Sequence, residues 1–201
     1  MRRFVLASFA ALSLLSAPVA RAEEAAAPPE PAFIPRVTVQ VDAVLFALSG
    51  YSWWLGVAPA PHLHVVLGTA SGVIPFGLPA GWNGRVRSGT LAGVQYYPFD
   101  AANSGLYFAL HLGRFELMYT RSDSPGAVTG VDQLSVVPAV GYRWFPMMSS
   151  GFYIAPFVAA GIAPYTIGEA KIGTNTLTPS IVTPLPGLYV GWEFGRQGLR
   201  R

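Results

Sequence analysis

The chain contains no cysteine, and only 11% of its 201 residues are charged. The first absence excludes disulfide frameworks, thiolate metal sites and a lipid-modified N-terminal cysteine. The second is a deficit against the roughly 25% of a typical soluble domain, and it means that much of the surface faces something other than water. Long apolar runs are also lacking. After the N-terminal segment none reaches the ~18 uninterrupted residues of a membrane-spanning helix. What is present is 52% hydrophobic residues, 13% aromatics, 22 glycines and 18 prolines. Gly and Pro at that density break long helices. An apolar, aromatic, helix-poor chain with few charges fits a closed sheet whose outer face meets lipid, because closure satisfies every backbone group between strands.

The formal charge of +3 gives no footing for nucleic acid. Arg2, Arg3 and Arg21 belong to the leader described next, and the basic residues that remain equal the acidic ones in number. No Lys/Arg cluster large enough to follow a phosphate backbone occurs, so nucleic acid is not expected as a partner.

The first residues read as an address. Met1-Arg2-Arg3 is a positive start, Phe4 to Leu15 a short apolar stretch, and Ala20-Arg21-Ala22 carries small residues where a signal peptidase reads them. The expectation is a signal peptide over 1–22 and export. Residues 23–36 are rich in Ala, Pro and Glu without periodicity and read as a linker. The body is 37–194, and 195–201 is a short C-terminal tail.

Within the body the signal has a period of two. In the segment 133–145, Leu134, Val136, Pro138, Val140, Tyr142 and Trp144 alternate with Gln133, Ser135, Val137, Ala139, Gly141, Arg143 and Phe145. One face is bulky and apolar, the other mostly small or polar, as in a strand between two environments. Similar alternation runs through 105–113, 151–165 and 187–194. In a soluble sandwich or a lipocalin-like binder one of the two faces would carry charge, and neither does. A narrow barrel interior instead takes small residues, some aromatics and rare polar groups. Eight strands are expected, over 37–48, 52–58, 63–69, 85–98, 106–119, 131–145, 152–165 and 185–194. The fold class is therefore all-β, a transmembrane antiparallel up-and-down β-barrel. Three short links (59–62, 99–105, 146–151) alternate with three long ones (70–84, 120–130, 166–184), and a short first link at 49–51 breaks the rule. Short turns at one end and long loops at the other characterise such barrels. Aromatics near both ends suggest two girdles, with Tyr96, Tyr97, Tyr107, Tyr153 and Trp192 at one and Trp53, Trp54 and Tyr119 at the other.

In these segments the chain resembles the small eight-stranded outer-membrane barrels, OmpA- and OmpX-like in the broad sense. The resemblance rests on VQYYPFDAANSGLYFALHLG, VVPAVGYRWFP…GFYIAPFVAAGIAPY and the final GLYVGWEF. It implies residence in the outer membrane of a Gram-negative-type bacterium. It also implies insertion by the outer-membrane assembly machinery, which reads a last strand ending in alternating aromatics. Trp192 and Phe194 match that signal, although GRQGLRR follows them.

Candidate functional residues are those with inward parity and polar chemistry: Gln40, Asp42, His64, Gln95, His111, Arg143 and Glu193. The expectation is a structural network in which buried charges find partners. Arg143 and Glu193 lie near one end on strands separated by one other, roughly 10 Å, which two long side chains span. No catalytic set, cofactor or metal site is expected. A lipid A deacylase-type enzyme is the sharper alternative, but the three histidines His62, His64 and His111 are in no His-x-Ser spacing. His62 and His64 lack a third ligand. A small channel is disfavoured because eight strands enclose a space that side chains fill, with Tyr107, Tyr153, Phe157 and Tyr189 inward by parity. The expected role is non-enzymatic: anchoring, packing, or display of outer loops to an extracellular or envelope protein.

Overall fold

The computed structural model describes residues 35–74, 78–99, 103–147, 150–179 and 181–195. The leader over 1–22 and nearly all of the linker lie outside the described residues. The elements in order are β1 (Arg36–Asp42), α1 (Ala43–Ala47), β2 (Tyr51–Ala60), β3 (Leu63–Val73), β4 (Trp82–Tyr96), β5 (Gly105–Arg121), β6 (Ser124–Arg143), β7 (Phe152–Ile167), β8 (Ala170–Ile172), β9 (Asn175–Leu177) and β10 (Val182–Phe194). Eight of the strands close a ring in the order β1-β10-β7-β6-β5-β4-β3-β2, antiparallel throughout, while β8 and β9 form a separate hairpin. The end holding Arg36 and Phe194 is called the lower end. No helix among the described residues is long and apolar enough to cross a membrane.

Alternation sets which face each residue takes. In β2 every second residue is buried, Ser52, Trp54, Gly56 and Ala58, and those between are exposed. The buried face points into the ring, where large side chains lie flat on glycines of the neighbouring strand. Tyr107 is the register partner of Gly141, Tyr153 of Gly191, Phe157 of Gly187, Trp54 of Gly68 and His111 of Gly93. A Cβ on Gly141 would stand 2.5 Å from the Tyr107 ring, and one on Gly191 2.6 Å from that of Tyr153. The many inward glycines therefore make room for rings in a barrel too narrow to hold both side chains.

Four features differ from the sequence expectation. Arg36, assigned to the linker, is the first residue of β1 and is buried. The first strand does not run to Leu48. Asp42 accepts hydrogen bonds from the backbone N–H groups of Val44 and Leu45 at 3.0 and 3.4 Å, and this N-cap turns the chain into α1. The expected loop over 120–130 is mostly strand, because β5 and β6 pair up to Arg121–Ser124 around a two-residue connection, Ser122-Asp123. The loop expected over 166–184 contains the β8–β9 hairpin and the start of β10. That hairpin packs on the upper part of β4–β6 in a second apolar cluster with Trp82, Leu117, Tyr119 and Val131. Thr129 ties it down, donating to the Glu169 carbonyl at 3.2 Å and accepting from the Lys171 N–H at 3.3 Å.

The girdles are also thinner than expected. Tyr97, Tyr107 and Tyr153 at the lower end, and Trp54 and Tyr119 above, are buried with their rings inside. Tyr96, Tyr142, Trp144, Trp192 and Phe194 remain exposed below, as do Tyr51, Trp53 and Tyr165 above.

Candidate functional site inside the barrel

The lower half of the interior is filled by a polar network centred on Arg143, which is 1% exposed. Glu193 reaches it from two strands away, with Oε2 3.5 Å from Arg143 Nη1. The same carboxylate accepts from Arg36 Nη1 through Oε1 at 3.2 Å, so two guanidiniums share one acid. Arg143 Nη2 donates to Gln95 Oε1 at 3.0 Å and lies 3.3 Å from His64 Nδ1. His64 Nδ1 also lies 3.1 Å from Gln95 Oε1, and its Nε2 lies 2.9 Å from Thr38 Oγ1, so both ring nitrogens are engaged in the network. Tyr97 donates to Gln95 Oε1 at 3.0 Å, and Tyr153 to Gln40 Oε1 at 2.6 Å. The Tyr153 and Tyr97 rings take the faces of the guanidinium, 4.4 and 5.0 Å from Arg143 Cζ. These buried side chains fill the lower half of the ring.

Above this network Trp54, Tyr189 and Phe157 form a floor. Tyr189 stacks on Phe157 at 4.3 Å and meets Trp54 edge-on at 5.8 Å. Over the floor the inward residues become small (Ala70, Ser135, Ala139, Ala159, Gly161 and Ala163), and a cavity of about 440 Å³ opens. Its walls are mostly apolar. Polar side chains concentrate on β5 and β6, where His111 sits with Gln133 and Ser135. The His111 ring meets Trp54 at 5.2 Å, tilted by 55°, and its Nε2 has no hydrogen-bond partner among the described residues.

Among the described residues the strand wall of this upper half is incomplete. β1 ends at Asp42, opposite Tyr189 of β10, and its last partner on β2 is Trp53. β10 continues upward to Val182, paired with β7 only. Among the described residues, the side of 183–188 that faces β1 therefore meets no strand. Asp42 takes the first open donor, the Leu188 N–H, at 3.4 Å. By the two-residue period of a strand, residues 186 and 184 point their nitrogens the same way, and both are prolines with no N–H to satisfy. The open edge thus leaves few orphan donors. α1 lies across part of it, with Leu45 packed on the interior cluster and Phe46 outside against Trp53.

All seven residues singled out from the sequence are buried inside the ring. Gln40, His64, Gln95, Arg143 and Glu193 come together in the lower network. His111 stands apart in the upper cavity, and Asp42 caps α1 rather than meeting Arg143. His62 lies in the β2–β3 turn, where Nδ1 donates to the Tyr97 carbonyl at 2.6 Å. Among the described residues no group of three His, Asp or Glu side chains is placed to hold a metal. Arg36, Thr38 and Tyr97 were missed; Tyr153 was read as inward by its parity, but not as a member of the hydrogen-bonded network. Arg36 and Thr38 share the parity of Gln40, and that signal was available. Tyr97 follows β4, so its inward ring depends on the turn. No protein-family model matches the chain, and no curated protein matches it significantly.

Proposed function

We propose that the chain is an integral outer-membrane protein whose barrel is a closed anchor and a stiff support for its upper hairpins. The observation that carries this reading is the inversion of the two faces. Trp53, Leu55, Leu67, Phe108, Leu112, Trp144 and Val158 are each more than half exposed, while Arg143, His64 and Glu193 are 2% exposed or less. A monomer in water rarely exposes an apolar patch beyond a few hundred Å², and here the apolar surface runs right round the ring. In a bilayer that surface is solvated by lipid, and the polar network sits where no lipid reaches.

Two further features support the assignment. Outward charges gather on the upper strand ends, as with Arg114, which pairs with Asp132 at 2.7 Å, and Arg87, which pairs with Glu116 at 2.8 Å. Such groups suit headgroups and water. The long β5–β6 hairpin with β8–β9 packed on it is a rigid surface of the kind that contacts a protein partner outside the membrane. The lower network argues against a pore, since conduction would require breaking a buried ion-paired cluster.

The test is fractionation followed by comparison of unboiled and boiled samples on a gel. The protein should appear in the outer-membrane fraction and migrate faster before boiling. Recovery from the periplasm without detergent would overturn the reading.

A further inference from the structure

We infer that the upper cavity binds one amphiphile with a hydrocarbon chain, and that the ligand enters sideways through the gap between β10 and β2 rather than from the loop end. The proposal rests on the membrane assignment above and adds a ligand and a route to it. Four observations carry it. First, about 440 Å³ falls within the roughly 300–1,000 Å³ of pockets that hold small organic molecules. Second, the walls are apolar, and Asp42, the charged side chain that borders the cavity, is occupied in capping α1 and in holding the Leu188 N–H. Such a chamber favours a hydrocarbon over water, which needs two to four polar partners to stay.

Third, the cavity reaches the stretch of β10 over 183–188 that no described strand pairs on the β1 side. Thr183 and Leu185, from the inward parity, line it, but so do Pro184 and Pro186 from the outward parity. The surroundings of this gap are apolar and exposed on the outside, with Phe46, Leu48, Trp53 and Val182. A rim of that kind opens to lipid. Fourth, the wall opposite the gap holds the buried, unpartnered Nε2 of His111, with Gln133 and Ser135 nearby. A buried polar atom without a partner is costly, and a ligand carrying one hydrogen-bonding group satisfies it.

The experiment uses the full-length mature protein in lipid nanodiscs, with two photoactivatable probes in separate samples. One is a phospholipid with a diazirine in its acyl chain, the other a free fatty acid with the same group. Adducts are mapped by peptide mass spectrometry. Adducts on outward residues such as Leu112 and Val158 report membrane insertion alone; their absence from both samples would overturn the membrane assignment. With outward adducts present, the inference expects adducts also on inward residues of the cavity, Val137, Ala139 and Ala159, from both probes. Outward adducts alone would overturn it. Inward adducts from the fatty acid but not the phospholipid would uphold the chain-binding cavity and overturn the sideways route. Ala139→Phe, which fills the cavity, should lose the inward adducts and keep the outward ones. His111→Phe preserves the wall and should lower capture of the fatty acid. Should either variant fail to insert, the wild-type map decides the matter.

Discussion

The lower and upper halves of the barrel interior are built from the same strands with the same alternation, yet one is plugged and the other hollow. The difference lies in what the inward positions carry. Below, Arg36, Gln40, His64, Gln95, Tyr107, Arg143, Tyr153 and Glu193 project into the ring, and glycines across the register make space for the rings. Above, small residues (Ala70, Ser135, Ala139, Ala159, Gly161 and Ala163) are interspersed with Leu91, His111, Phe115 and Leu117, and a cavity of about 440 Å³ lies between them. Strand number fixes the width of such a barrel, but side-chain volume decides whether that width is used. A single β-strand can therefore belong to a rigid polar plug at one end and an adaptable apolar chamber at the other.

The largest break in the comparison should come at Glu193. It is the shared partner of two buried guanidiniums, so Glu193→Gln strands both. Removing one member of a buried pair typically costs about 3–5 kcal/mol, and Glu193→Gln should exceed Arg143→Met or Arg36→Met measured alone. Denaturant unfolding from detergent gives these values. Equal and additive losses would mean that the three side chains do not act together.

A closer comparison is available two residues apart on β6. Gly141 lies in the plugged half under the Tyr107 ring, so Gly141→Ala should cost about 1–3 kcal/mol through overpacking. Ala139 borders the cavity, and Ala139→Val adds more atoms yet should be close to silent. If both substitutions cost the same in the same unfolding assay, the upper half is as tightly packed as the lower. The smallest effect belongs outside. Arg114→Gln removes an ion pair on the exposed upper surface and should leave the melting curve in detergent unchanged, as most surface pairs do. A measurable drop would place that pair in a less watery setting than its exposure implies.

Much of this division could be read from the sequence. Period-two alternation sorted inward from outward residues in most strands. It also put Arg143 and Glu193 at one end within reach, and they meet at 3.5 Å. Three things could not be read that way. Ala43 to Leu48 is an apolar run whose period does not distinguish strand from helix, so the Asp42 cap was invisible until its carboxylate was seen on two backbone donors. Arg36 adjoins Pro35 and the Ala/Pro/Glu stretch, and composition alone assigned it to the linker. Pro184 looked like the last residue of a loop, because proline cannot donate to a ladder, and the expected strand began only at 185 although Pro186 already fell within it. On an edge with no neighbour that donor is not needed, so the strand runs through them.

The shortness of the β1–β10 pairing also bears on how the barrel assembles. β1 and β10 share a register from Val37↔Phe194 to Asp42↔Tyr189, whereas β5 and β6 pair from Gly105↔Arg143 to Thr120↔Val128 and, past an irregularity, at Arg121↔Ser124 around a two-residue turn. A tight hairpin forms in roughly 1–10 μs because little chain must be ordered to close it. The β1–β10 junction joins opposite ends of the barrel sequence and repays its loop-closure entropy with a brief ladder. The expected order is therefore β5–β6 first and the junction last. Pulsed hydrogen exchange during refolding should protect amides of 106–120 before those of 37–41. Simultaneous protection would show that the ring closes in one step.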